Sequence, residues 1–275
     1  MKIAIITDIH YGGPDPGAFD VRAVVDKFVH WAQRLEVDLL LDLGDRIDEV
    51  DRTTDLANAG ELARIFARFP GKRVHLRGNH DVVNLSFGDH EALFGTPAGH
   101  QAIDLGETRL LVWQPSVLLD RAVGFPETQP ELRWLSRALD DDARPAIIAS
   151  HIPVSGASMI SNYYFEHNDD FATYPDHAAV RSAIADGGRV AMWLSGHVHW
   201  NSITQVAGIR HLTIQSASEQ FTTMADPACA YGLLQVDKSI ARLEVFGRDP
   251  VTWEFPFVPS GDRRWPQPRP RVPRP

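Results

Sequence analysis

Five short stretches of the chain carry side chains that bind metal ions or move protons: "DIH" at 8–10, "GD" at 44–45, "GNHD" at 78–81, "SH" at 150–151 and "GHVH" at 196–199. Each follows an apolar, β-rich run, in turn "KIAIIT", "LLLDL", "RVHL", "AIIAS" and "AMWLS". Turns favour Gly, Asn and Asp, but a turn alone has no use for His10, His80, His151, His197 or His199. One histidine after a strand is chance. Five chemically loaded strand ends, all C-terminal, predict one shared cleft, because loops of an α/β sheet converge at that edge. Imidazole suits zinc, iron and manganese, whereas carboxylate and amide oxygens suit harder ions. The mixture, with Asp45 as a spare carboxylate, predicts a bridged pair of ions. Two cations about 3.5–4 Å apart clamp the attacking and leaving oxygens of a displacement at phosphorus and bring the pKa of bound water toward roughly 7.

The elements that must position these turns alternate. Strand-like runs cover 2–7, 38–43, 73–76, 145–150 and 190–195, and helical apolar spacing covers 20–36, 55–68, 130–141 and 176–186. "QAIDL" and "TRLLVW" flank Gly106-Glu107, a hairpin signal. From 202 the pattern becomes a β meander of "SITQV", "RHLTIQ", "YGLLQV" and "ARLEVF". This order predicts a layered α/β fold with a partly antiparallel sheet. The expected domain spans 1–255, followed by a Pro/Arg-rich tail at 256–275 without a core of its own. Segment 155–175 has no period, and a loop of that length inside a domain points to function or mobility.

Composition narrows the class. The 275 residues are 44% hydrophobic and carry a formal net charge of −9. That sign argues against duplex nucleic acid or an anionic membrane as partner and leaves a small anionic substrate, with cations or metals offsetting the background. Cys229 is the single cysteine, so no intrachain disulfide forms, which fits a reducing compartment. The first apolar run stops at Asp8, too early for a signal peptide, and no run approaches the roughly 20 residues of a membrane span. The expectation is a soluble, cytoplasmic protein.

Taken in order, the five blocks resemble the signature of the calcineurin-like metallophosphoesterase superfamily, over residues 8 to 199. The resemblance implies a four-layer αββα sandwich of two mixed β-sheets flanked by helices. It implies one metal on Asp8, His10 and His199, a second on Asn79, His151 and His197, and Asp45 bridging both, with Mn, Fe or Zn as the ions. His80 would contact the phosphate and protonate the leaving oxygen, and Asp81 would hold its imidazole in position. The protein phosphatases of the superfamily carry "GDxVDRG" where this chain has "GDRIDEV", so Glu49 stands in place of a phosphate-contacting Arg. Length, spacing and the "GHVH" ending are more similar to the bacterial phosphodiesterase branch, which acts on cyclic nucleotides or glycerophosphodiesters.

The expectation is therefore a dinuclear metal-dependent phosphodiesterase in which hydroxide attacks phosphorus and His80 acts as general acid. A phosphomonoesterase is the first alternative, and a metal-binding scaffold for protein partners the second. Arg46 and Arg77 are candidate phosphate contacts or partners of nearby Asp residues. Tyr163, Tyr164, Phe165 and His167 are candidates for a substrate pocket or a homo-oligomer contact. His30 and Trp31 read as packing or surface residues, His75 and His211 are assigned no metal, Met192 and Trp193 read as core, and Asp42 as either an acceptor behind a ligand histidine or a strand-end charge.

Overall fold

The computed structural model describes residues 1–13, 19–237 and 239–262. In chain order its elements begin β1 (Lys2–Ile6), α1 (Val21–Arg34), β2 (Leu39–Asp42), α2 (Arg52–Phe66), β3 (Lys72–His75) and α3 (Phe87–Phe94). Next come β4 (Gln101–Asp104), β5 (Arg109–Val112), α4 (Gln129–Asp140), β6 (Ala146–Ala149), α5 (His177–Gly187) and β7 (Val190–Ser195). The chain closes with β8 (Ser202–Val206), β9 (Ile209–Thr213), β10 (Tyr231–Asp237), β11 (Ile240–Phe246) and β12 (Val251–Pro256). One six-stranded sheet runs β12-β11-β10-β1-β2-β3 and the other β4-β5-β6-β7-β9-β8. Both are mixed: β1, β2 and β3 are parallel, as are β5, β6 and β7, while β10–β12 and the β8–β9 hairpin are antiparallel.

Side-chain alternation makes the layers. Ile3, Ile5, Leu39 and Leu41 of the first sheet pack with Leu110, Ile147, Leu194 and Leu212 of the second. Their neighbours Ala4, Ile6 and Leu40 face the other way, onto Val25 and Phe28 of α1 and Leu62 and Phe66 of α2. Leu111, Ile148 and Trp193 likewise meet Leu135 and Leu139 of α4 and Val180 and Ile184 of α5. A strand buried on both faces reads as an unbroken apolar run, which is why these were visible in the sequence. The result is the expected four-layer αββα sandwich.

Three features differ from the sequence reading. Helix α3 was not anticipated, although Ser86 and Asp89 form a reciprocal capping box at its start. Strand β12 was not anticipated either; it pairs with β11. The late strands do not form one meander, because the chain crosses from the second sheet to the first between β9 and β10. Beyond Pro256, Phe257 is buried in the inter-sheet core and a 3-10 turn at Ser260–Asp262 packs on α5. The rest of the Pro/Arg-rich segment, 263–275, lies outside the described residues. Among the described residues, no helix is long and apolar enough to cross a membrane.

His211 of β9 is buried against Trp193, ring centroids 5.8 Å apart, and neither of its ring nitrogens has a hydrogen-bond partner among the described residues. Burial, and then the charge of Arg181, pulls its pKa down to about 3. The unfolded chain, with an ordinary imidazole near 6.5, therefore binds a proton that the folded state refuses. Stability is full above about pH 6.5 and drains as pH falls from there toward 3, by up to about 1.4 kcal/mol per pH unit for this residue. Urea unfolding at a series of pH values should show that slope, and H211F should flatten it by one proton.

Candidate metal centre

The C-terminal ends of β1, β2 and β3 in one sheet and of β6 and β7 in the other open onto the same edge of the sandwich. Just past those ends the backbone turns left-handed at Asp8 (φ 50°), His10 (48°), Asp45 (54°), His197 (69°) and His199 (59°). Such conformations cost about 1–3 kcal/mol each and collect at functional sites. Asp and His enter them more readily than most residues. Two glycines make the close approach feasible. A Cβ on Gly78 would collide with the carboxylate and amide of Asp45, and one on Gly196 with Thr7 and Asp8.

The expected side chains converge. Asp8, His10 and His199 bring ligand atoms within 4.8 Å of one another, and so do Asp45, His151 and His197. His10 Nε2 lies 3.0 Å from His199 Nε2, and His199 Nε2 lies 3.3 Å from Asp8 Oδ1. Asp45 Oδ2 sits between the clusters, 3.1 Å from His151 Nε2 and 3.9 Å from His10 Nε2. Asn79 Oδ1 joins the second cluster, 3.2 Å from His151 Nε2.

Three of the four expected ligand imidazoles, all but His199, are aimed by the other ring nitrogen. His10 Nδ1 bonds Asp48 Oδ1 at 3.0 Å, His151 Nδ1 donates to the Leu43 carbonyl at 2.9 Å, and His197 Nε2 donates to the Phe171 carbonyl at 2.8 Å. A carbonyl accepts only a proton-bearing nitrogen, so these bonds leave His151 Nε2 and His197 Nδ1 as the lone-pair nitrogens. Asp8 and Asp45 are almost completely buried. The Asp8 carboxylate accepts from Thr7 Oγ1 (2.6 Å) and from the His197 amide across the sheets (3.0 Å), and Asp45 Oδ1 accepts from the His80 amide (2.9 Å). Two buried carboxylates facing imidazole nitrogens, with two of those nitrogens 3.0 Å apart, form a donor set that fits a cation.

The electrostatics agree. Burial alone would raise the Asp8 carboxyl and lower the imidazoles, but the opposite charges outweigh it. His199 brings Asp8 down to about 2, and His151 draws Asp45 well below the carboxylate range. Asp48 and Asp45 lift His10 to about 9, and Asp45 lifts His151 to about 9. His197, where burial and the charge of His151 prevail, falls to about 3. The field of the paired carboxylates thus calls for positive charge.

A family model for calcineurin-like phosphoesterases matches residues 1–201. The chain belongs to that family. A dimetal phosphatase from Danio rerio shares the fold at a TM-score of 0.72 and 15% identity, over 94% of this chain and 98% of its own. The anchor of the inner membrane complex of Plasmodium aligns at a TM-score of 0.65 and 11% identity, over 94% and 89%. A Thermus thermophilus protein aligns at 0.56 and 13%, over 90% and 99%. Among curated proteins, none matches the chain.

The metallophosphoesterase site departs from expectation at Asp81. Its carboxylate does not orient the His80 ring. It accepts instead from the amides of Gly78 (2.9 Å), Asp45 (3.0 Å) and Arg46 (3.0 Å) and pairs with the Arg46 guanidinium at 3.1 Å. A fully buried carboxylate needs that many donors. The carboxylate that reaches His80 Nδ1 is that of Glu49, which in turn pairs with Arg121 at 3.2 Å. Arg46 and Arg77 are not at the mouth of the site. Arg46 is buried between Asp42 and Asp81, and Arg77 bonds the Ala98 carbonyl and covers the Phe87 ring. Asp42 is neither a ligand's acceptor nor a surface charge; it holds Arg46 and His75.

Above the clusters lies a cavity of about 620 Å³ walled by Tyr163, Tyr164, Phe165, Phe171 and Phe221 with Val83, Leu118 and Leu119. Segment 155–175 supplies four of those aromatics, but His167 does not line the cavity. Asn162 ties the segment down: its Nδ2 donates to the Val198 carbonyl between the two late histidines, and its Oδ1 accepts from the amides of Tyr164 and Phe165. Among the described residues Arg121 is the one arginine or lysine on the cavity wall, and nothing in its surroundings in the sequence marked it.

Since Gly78 abuts Asp45, G78A should destabilise the fold by about 1–3 kcal/mol and displace the Asp45 carboxylate. Thermal denaturation together with metal content after dialysis would check both. Unchanged values for both would refute the close-approach argument.

Proposed function

We propose that the protein is a dinuclear metal-dependent phosphodiesterase acting on a small phosphodiester. In this reading Asp8, His10 and His199 hold one ion and Asn79, His151 and His197 the other, with Asp45 shared. Mn, Fe and Zn suit the mixture of imidazole and oxygen donors. Once bound, such ions polarise phosphoryl oxygens and lower the pKa of water.

The protein's own groups do the rest. The Asp48, Leu43 and Phe171 acceptors fix the His10, His151 and His197 imidazoles before any ion arrives. His80 lies on the cavity wall with its Nδ1 turned to Glu49, which leaves Nε2 to give a proton to the leaving oxygen. The aromatic wall keeps water away from the substrate's ester arm.

The observation that carries the diester reading is the withdrawal of Arg46 and Arg77 from the cavity. A monoester dianion needs cations for its extra charge, whereas a monoanionic diester with an apolar arm suits these walls. Arg121 is the feature that favours a monoesterase, since release from Glu49 would free one guanidinium at the rim. Cyclic nucleotides and glycerophosphodiesters are the first substrate classes to screen.

With Mn²⁺ restored to stripped protein, hydrolysis of bis(p-nitrophenyl) phosphate should exceed that of p-nitrophenyl phosphate, and both should vanish on stripping. Preference for the monoester would overturn the diester reading. H80A should retain bound metal and lose about 10²–10⁴-fold in rate on esters with poor leaving groups. E49Q should lose less, with the same dependence on leaving group. Full activity of H80A on such esters would remove His80 as the acid.

A further inference from the structure

Three arginines are buried among the described residues: Arg46, Arg77 and Arg109. Arg46 pairs with Asp42 at 2.8 Å and Asp81 at 3.1 Å, and Arg109 meets Asp142 at 3.6 Å. Arg77, only 6% exposed, has no carboxylate oxygen within 4.0 Å among the described residues. Its Nε donates to the Ala98 carbonyl at 3.0 Å and its guanidinium lies 3.4 Å from the Phe87 ring centre, while Nη1 and Nη2 make no hydrogen bond to the described protein. Asp81 and Glu91 act on it only from beyond that distance, so its terminal nitrogens keep donors to spare for an anion.

Arg77 lines a cavity of about 470 Å³ on the far side of Leu118 from the metal centre. His100 lines it too. Its Nδ1 accepts from the Gln114 amide at 2.9 Å, which places the ring proton on Nε2, a donor without a partner among the described residues. Gln114 holds the scaffold rigid, accepting from the Arg77 amide and donating to the Gly99 carbonyl. Ser116 adds an exposed hydroxyl. The acids nearby are otherwise placed: Glu91 accepts from the Ala98 amide, Asp81 is held by Arg46, and Glu131 sits on the cavity wall without reaching Arg77.

We propose that this cavity binds the oxyanion of a small molecule, a phosphate or a carboxylate, gripped bidentately by the Arg77 guanidinium with His100 Nε2 as a further donor. The planar fork of donors matches either anion. The pocket stands apart from the metal centre, so its occupant need not be the substrate.

The test is the gain in melting temperature given by inorganic phosphate, and separately by acetate, at low millimolar concentration. It is run on the wild type and on R77M and E131Q, each also combined with H151A to disable anion binding at the metal centre. Phosphate or acetate should stabilise H151A, and which of them does so names the anion class. The gain should be lost in R77M/H151A and should increase in E131Q/H151A, which removes a negative charge from the wall. A gain confined to proteins with His151 intact, or equal with and without R77M, overturns the proposal. Should R77M fail to fold, E131Q decides, and an unchanged gain overturns it.

Discussion

The Asp81 carboxylate ties two turns together. With the amides of Gly78, Asp45 and Arg46 all donating to it, the turn after β3 is stitched to the turn after β2. Those turns carry Asp45, Asn79 and His80, so the spacing between the proposed bridging carboxylate, amide ligand and acid is set by one buried anion. Arg46 neutralises that anion and reaches Asp42 beneath it, and the guanidinium stacks over Phe94 of α3. Removing one member of such a network leaves an uncompensated buried charge, at a cost of about 3–5 kcal/mol.

The same economy runs through the rest of the centre. Asp8 is bonded by His197 from the opposite sheet and by Thr7 beside it, and Ser216 holds its carbonyl. Left-handed backbone at five of the seven expected ligands would be unfavourable in isolation. It persists because each ligand is held from at least one further direction. Rigidity here comes from carbonyls, amides and buried carboxylates around the ligands, none of which has chemistry of its own.

Much of this was legible in the sequence. Strands buried on both faces announce themselves as apolar runs, and the residues that follow them carried the site. What failed was direction. Adjacency made Asp81 look like the partner of His80, but on a tight turn neighbouring side chains diverge, and a residue 31 positions away, Glu49, makes the contact. Arg46 and Arg77 lie beside the motifs but turn away from the clusters, Arg46 to buried carboxylates and Arg77 to the Ala98 carbonyl and the Phe87 ring, which no pattern reveals. Helix α3 was readable in principle from Ser86 and Asp89, yet its eight residues are too short to show a period. The alternation of "VTWEFP" was masked by the prolines that follow it.

The two sheets contribute unequally placed halves of each ligand cluster. Asp8 and His10 come from the first sheet and His199 from the second; Asp45 comes from the first and His151 and His197 from the second. Neither sheet alone assembles either of these two clusters. In the proposed dinuclear state each ion would therefore tie one sheet to the other across the seam. Its affinity would add to the work needed to pull the halves apart, so loading would strengthen the seam between the sheets more than the outer helices.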